Sequence, residues 1–349
     1  MKRILITATG GTIGSSFIDG CRRLDVGVAK STLLKSFAES GSQYAALGNV
    51  FFEDSGLELK TLSENMTLDK LFSIVKHIKE HEREGLSGII VLHGTDTLAF
   101  SAAMLSLLCC DTDIPLILVS GNCPPDDENS NAGANFRAAV ELICGGLAPN
   151  VYAVYRNSNG GMYLHIGSTL LQCADFSEDF LNGANDKVFL LDSNNELSAE
   201  AVEICRNIFE NRRSDIIGEI SDIQCLSKEA LMLMPYVGMD YGKLKLDGVG
   251  GIVHRTYHSG TVCVDGESFS VTDFGKRCAE QGIPLYIAPC KLDEKQYEST
   301  YKAAKGGIIP LNMTSEFAYC KLVLGLSIGL LDDRLNNFMR TEINSEFIS

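Results

Sequence analysis

The chain predicts an α/β protein: an N-terminal parallel-sheet domain with crossover helices, followed by a smaller C-terminal α/β domain. Three observations carry this reading. Short apolar runs of strand type recur through the first half, at Ile4 to Ile6, Gly88 to Leu92, Ile114 to Val119 and Val151 to Tyr155. Stretches with apolar residues at helical spacing lie between them, the alternation that parallel sheets with crossover helices require. A second, shorter series of the same kind begins near Leu231.

The opening strand ends in Thr7-Ala8 and breaks at Gly10-Gly11, presenting Thr12 beside two residues without side chains. Phe17 to Lys30, with Gly20 and Gly27, reads as a flexible flap over Thr12, and Ser31 as the cap of a helix bearing Leu33, Leu34 and Phe37 on one side. Gly48 to Asp54 reads as a strand, and Leu57 to Met66 as a polar loop. Thr67 starts an amphipathic helix through Leu68, Leu71, Phe72, Val75 and Ile78. The buried strand Gly88 to Leu92 ends in His93-Gly94-Thr95-Asp96-Thr97, and a helix follows with Phe100, Met104, Leu107 and Leu108. Ile114 to Val119 leads into a polar loop, Asn122 to Asn131, then a helix from Asn135 to Cys144 and the strand Val151 to Tyr155. Phe189 to Asp192 adds one more strand.

The predicted boundaries are 1–193 for the N-terminal domain, 194–228 for a polar, helix-containing connector and 229–349 for the smaller domain. In the latter, strands are expected at Leu231 to Met239, Gly251 to His254 and Leu285 to Ala288, with helices at Ser270 to Gln281 and Ser315 to Leu330.

Composition excludes several classes. With 45% hydrophobic and 21% charged residues the chain reads as globular, and no apolar run approaches the length of a membrane span. Lys2 and Arg3 precede an apolar run far too short for a signal core, so a cytoplasmic protein is expected. The 12 cysteines lack CxxC spacing and read as reduced, small buried hydrophobes. A net charge of −15 argues against nucleic acid, which needs a basic face.

Two strand ends carry chemistry: Thr12 after the first strand, and Thr95-Asp96 after the Gly88 to Leu92 strand. In a parallel sheet both lie at one edge, where α/β sheets bind ligands. Thr is a weak nucleophile and needs an activating neighbour, while a helix start after Asp96 offers free N–H groups to an oxyanion. Here the sequence resembles the bacterial-type L-asparaginase (asparaginase/glutaminase) family, closer to its cytoplasmic type I form. ATGGTIG around Thr12 resembles the first family signature and LHGTDTLAFSA the second. LSENMT, Leu62 to Thr67, resembles the substrate-carboxylate loop, and Ser120 to Val140 resembles the segment after the next strand. GGIVHRTYHSG and GGIIPLNMTSEFAYCKLVLGL are weaker matches to the smaller domain.

The resemblance implies cofactor-free hydrolysis of L-asparagine to L-aspartate and ammonia through an acyl-enzyme. It implies Thr12 as nucleophile, Thr95 as second catalytic hydroxyl and Asp96 as holder of the α-ammonium, with Ser63 on the α-carboxylate and Glu64 at the other substrate-loop position. Gly11 and Gly94 would flank the substrate. It also implies a homodimer or homotetramer with the active site at a subunit interface. Two positions depart from the family. No Lys lies between Ala138 and Lys187, where the family's relay Lys would fall near Gly167 or Ser168, and His165 is the titratable candidate to substitute for it. The stretch DGCRRLDVG, where the family carries a flap Tyr, has none.

A relay-deficient relative acting as an amino-acid sensor or scaffold is therefore the alternative to the enzyme. The amidase component of a tRNA-dependent amidotransferase is disfavoured by the acidic charge and by a chain that starts at the catalytic strand. His77 to His81 matches the HxxEH zinc pattern but sits among Lys76, Lys79, Glu82, Arg83 and Glu84, so a solvated charged face, and no metal, is expected. His93 reads equally as structural or substrate-facing, and His254 and His258 as parts of a hydrogen-bonded loop. Asp126, Asp127 and Glu128 read as a solvent-exposed acidic loop, and GGTIG lacks the spacing of a dinucleotide fingerprint.

Overall fold

A computed structural model describes residues 1–18, 21–57, 59–213, 223–292 and 296–348. The chain forms two compact units, Met1–Ile217 and Gly218–Ser349.

In the first unit, β1 (Lys2–Ala8) runs into a hairpin of β2 (Ser15–Ile18) and β3 (Cys21–Leu24), followed by α1 (Val26–Ala38) and the single turn α2 (Gln43–Ala46). Next come β4 (Val50–Asp54), α3 (Leu68–His81), β5 (Gly88–Leu92), α4 (Leu98–Leu108), β6 (Leu116–Val119) and α5 (Ala132–Cys144). The unit closes with β7 (Val151–Arg156), β8 (Met162–Ile166), β9 (Val188–Leu190) and α6 (Ala199–Asn211). The sheet is seven-stranded in the order β4-β1-β5-β6-β7-β8-β9. β4, β1, β5, β6 and β7 are mutually parallel, whereas β8 runs antiparallel to β7 and to β9. The α/β class read from the apolar runs is thus the class of the molecule.

Strand order explains where a site can form. From β1 the chain leads to β4 on one side, and from β5 it leads to β6 on the other. The C-terminal ends of β1 and β5 are therefore the switch point of the sheet, where the connecting segments diverge and leave a crevice. One face of the sheet buries Ile4, Ile6, Ile90, Ile117, Tyr152 and Leu164 under α1, α5 and α6. The alternate residues, Leu5, Thr7, Val91, Leu118 and Ala153, are equally buried on the opposite face. Both faces are covered, which is why these strands read as continuous apolar runs.

Several boundaries differ from the sequence expectation. The span read as a flap, 17–30, holds the β2–β3 hairpin and the first turn of α1; Gly20 lies outside the described residues. The helix begins at Val26 because Asp25 caps it, its carboxylate accepting from the Val28 N–H at 3.0 Å. α5 starts three residues early, at Ala132, after a loop closed by reciprocal Asn122–Asn131 bonds of 2.9 and 3.0 Å. β8 follows a tight turn at Asn157–Gly161, closed by the Gly160 N–H on Asn157 O at 2.9 Å, where Gly160 takes φ +83°. In the span read as a connector, α6 packs Ala201, Cys205 and Ile208 on the core of the first unit; 214–222 lie outside the described residues.

The second unit holds a parallel sheet in the order β10-β11-β12-β13, from β10 (Ala230–Leu233), β11 (Gly251–Arg255), β12 (Leu285–Ala288) and β13 (Ile309–Pro310). α7 (Val271–Glu280) lies between β11 and β12, and α8 (Glu298–Lys305) between β12 and β13; α9 (Ser315–Ser327) and α10 (Asp332–Arg340) follow. The first strand stops at Leu233 rather than Met239 because Pro235 cannot donate to the ladder. Ile252, Val271, Phe274, Cys278, Leu285 and Ile287 form the core of this unit. Within it Lys321 on α9 and Glu346 are fully buried and paired at 2.6 Å. Glu346 also accepts from the N–H groups of Ile343 and Asn344. Buried charges persist only when paired and hydrogen-bonded in this way.

His254 of β11 is buried and shares a 2.7 Å hydrogen bond with the Tyr241 hydroxyl, while His258 is exposed beside Ser259. The described cysteines are all free, and burial pushes the Cys110 thiol up to about 12, so the buried ones behave as small hydrophobes.

Candidate active site

The site is built on backbone before side chains. Beyond β1 the chain continues beside the segment after β4: Gly10 bridges Thr61, and the Gly11 N–H donates to Thr61 O at 2.9 Å. Gly11 takes φ +73°, and a Cβ there would lie 2.3 Å from the Cα of Gly94. The two peptide segments that leave β1 and β5 are therefore in direct contact, which no other residue pair would allow. Thr12 and Thr95 each follow this contact by one residue, so the switch point brings together the strand ends that carry them. Both are half-buried.

Ser63 enters from the loop before α3. A Cβ on Gly94 would meet its Oγ at 2.5 Å, so this glycine too is required by close approach. The Ser63 hydroxyl donates to the Asp96 carboxylate at 2.7 Å and accepts from the Asp96 N–H at 3.3 Å. The Thr97 hydroxyl donates to Ser63 O at 3.0 Å, and the Gln172 amide donates to Asp96 O. Ser63 is 5% exposed, while Asp96 and Glu64 face solvent. The carboxylate of Asp96 is thus held open to a ligand by one hydroxyl and by a backbone pinned on both sides. Because the Thr97 hydroxyl is committed to Ser63, the N-terminus of α4 has no side-chain cap from Thr97, and the Leu98 N–H turns back to Thr95 O at 3.3 Å.

Neighbouring groups fix these loops. Lys70 donates to the Thr61 hydroxyl at 3.0 Å and to Asn65 O at 2.7 Å, holding the Ser63 loop against the start of α3. Ser15 Oγ donates to Gly11 O at 2.9 Å. His93 is buried, with Nδ1 2.7 Å from Gly94 O and Nε2 2.8 Å from the Ser101 hydroxyl. A carbonyl only accepts, so Nδ1 carries the proton and Ser101 donates to Nε2. Burial lowers the His93 pKa, which keeps the ring neutral in this role. His93 therefore orients the Gly94 carbonyl. Thr61, Lys70, Thr97 and Gln172 had no local signal in the sequence: each acts through a contact across the fold, Gln172 from 76 residues away.

His165 is not brought to this cluster. It pairs with Ala153 on β7, in the row that passes through Leu118, Val91 and Thr7. In that row His165 on β8 is three strands from β5, about 14 Å laterally at the usual strand spacing. The ring is 1% exposed, neither nitrogen has a hydrogen-bond partner among the described residues, and burial lowers the pKa to about 3. Gly167 and Ser168, where the relay Lys was expected, are buried, and a Cβ on Gly167 would press on Ser106 Oγ and Val151 O at 2.9 Å. Asp126 accepts from the Phe17 N–H at 3.0 Å, which ties the hairpin to the acidic loop.

The strand order and the glycine-lined crevice define an α/β protein with a hydroxyl-centred site at its switch point. Comparison with known proteins makes this specific. Residues 3–167 match the family model described as "Asparaginase, N-terminal". The L-asparaginase from Thermococcus kodakarensis superposes with a TM-score of 0.76 at 21% identity, covering 99% of each chain. L-asparaginase I from Vibrio cholerae gives 0.70 at 20% identity, over 100% of this chain and 99% of that one. By sequence, a glutamyl-tRNA(Gln) amidotransferase component of Methanococcus maripaludis strain C7 is 26% identical over 348 residues, 95% of this chain and 78% of that protein. Residues 3–167 thus match an asparaginase N-terminal domain, and the fold is that of the L-asparaginases.

Proposed function

We propose that the chain hydrolyses the side-chain amide of L-asparagine, with Thr12 as nucleophile. The observation that supports this reading most is the Gly11–Gly94 contact, which sets Thr12 and Thr95 on adjoining backbones beside the Ser63–Asp96 pair. The Thr12 hydroxyl attacks the amide carbon, and the oxyanion that forms is stabilised by N–H groups around Thr95 and the start of α4. The C–N bond then breaks, ammonia leaves with the proton taken from Thr12, and water cleaves the resulting ester to release aspartate. Asp96 and Glu64 offer carboxylates to the α-ammonium, and the Ser63 hydroxyl turns to the α-carboxylate. Without a lysine at the relay position, proton removal from Thr12 falls to the Thr95 hydroxyl and water. A missing base of this kind costs about 10²- to 10⁴-fold in rate, so slow turnover is expected.

A second reading, supply of ammonia to an amidotransferase, is favoured by the name of the Methanococcus relative. The charge of −15 weighs against direct contact of this chain with RNA. Ammonia release from L-asparagine and L-glutamine, measured beside Thr12→Ala, tests both. Asparagine turnover lost in the variant supports hydrolysis through Thr12, and a preference for glutamine supports the second reading. Absent turnover, with L-aspartate still raising the melting temperature, identifies an amino-acid-binding protein.

A further inference from the structure

The last turns of α3 place His77, Glu80 and His81 on one helical face, at i, i+3 and i+4. One ligand atom from each lies within 4.8 Å of the others, a grouping not repeated among the described residues. The two imidazole rings sit 4.1 Å apart between centroids, tilted by 34°. We propose that these three side chains form a binding site for a divalent transition metal of the Zn2+ class.

Two features beyond proximity support this. His81 Nδ1 lies 2.8 Å from the His77 carbonyl oxygen. A carbonyl accepts, so Nδ1 carries the proton and Nε2 keeps its lone pair. Metal-ligating histidines use this backbone bond to fix tautomer and ring orientation. The second feature is the setting of His77, a half-buried ring whose Nε2 is shielded from solvent and which lies against the Ser55 backbone. A ring held against backbone on one side is oriented in the same way as His81, which suits it to ligate a metal. The sequence reading as a solvated charged face holds for Glu80, which is exposed, and not for the inward side of His77.

The donor set selects the metal. Two imidazoles and one carboxylate suit Zn2+, Ni2+ and Cu2+, whereas Mg2+ and Ca2+ prefer oxygen-only shells. Three protein donors leave a fourth, solvent-facing position for water. A metal held by residues one turn apart ties the final turn of α3 together. The same helix holds the Ser63 loop through Lys70, about 10 Å nearer its start.

The test uses the full-length, reduced protein and Zn2+ alone, followed by isothermal titration and by melting temperature. One saturable equivalent per chain is expected, with a rise in melting temperature; at a hundredfold excess over Kd the folded-to-unfolded ratio grows about a hundredfold. His77→Gln/His81→Gln is expected to lose the site, and the exposed variant Glu80→Gln to bind at least tenfold more weakly with its metal-free melting temperature unchanged. Co2+ bound at the site should show no thiolate charge-transfer band, which separates it from binding by the exposed Cys21, Cys225 or Cys263. Absence of saturable binding, affinity unchanged in both variants, or a thiolate band would each overturn the proposal.

Discussion

Replacing His165 with Leu is expected to make the protein more stable, and most of all in acid. In the fold the imidazole is 1% exposed, its nitrogens have no partner among the described residues, and its pKa is lowered to about 3 by burial. The unfolded chain titrates near the ordinary value of about 6.5. Between these values the unfolded state binds the extra proton, so the contribution is fully present above about pH 6.5 and is lost as pH falls toward 3. At about 1.4 kcal/mol per pH unit, lowering the pH from neutrality to about 5 removes about 2 kcal/mol through this residue alone. His254, lowered to about 4 by burial, adds a similar loss in wild type and variant alike and cancels between them. Leu also removes two unsatisfied polar atoms, worth about 1–3 kcal/mol at neutral pH. Urea unfolding followed by circular dichroism, at neutral pH and near pH 5, measures both effects. Equal acid sensitivity of the two proteins would refute the argument. So would a fall in amide hydrolysis with loss of one limb of its pH profile, because that would make His165 a proton acceptor for the reaction.

Two further outcomes follow from the packing. Gly94→Ala should push Ser63 off Asp96, because the new Cβ would stand 2.6 Å from Ser63 Cβ; L-aspartate should then no longer raise the melting temperature of a protein that still folds. In the second unit Lys321→Met strands the Glu346 carboxylate and should cost about 3–5 kcal/mol, whereas Lys321→Met with Glu346→Leu should recover much of it, as denaturant unfolding of both would show.

The parallel sheet was legible because its strands are buried on both faces and stand out as apolar runs bounded by glycines and polar loops. Gly88–Leu92 and Leu285–Ala288 match their expected limits residue for residue. α3 was equally plain, with Thr67 capping it and its Oγ accepting from the Lys70 N–H at 3.3 Å. β8 escaped notice because its run is interrupted by His165 and its pairing, with β7 across the preceding turn and with β9 further on, is not written in its own residues. The amphipathic α10, which buries Leu335, Phe338 and Met339, follows the glycine-containing end of α9 and lay beyond the last expected helix. At the site, the two threonines and Asp96 could be read from glycine-rich strand ends. The supports could not: Gln172 and Lys70 act through tertiary contacts, and the position of His165 depends on strand register.

The touching glycines also bear on how this site can change over time. Where two backbones meet with no space for a Cβ, the separation of the residues that follow is set by main-chain geometry that substitution cannot gradually adjust. Variation in substrate choice must therefore enter through the third wall, the loop that carries Ser63 and Glu64. Lys70 joins the two ends of that loop, at Thr61 and Asn65, through one side chain outside the sheet, so this tie can be altered without disturbing the strands. The molecule separates a rigid axis that holds the two hydroxyls from an adaptable wall that meets the rest of the ligand.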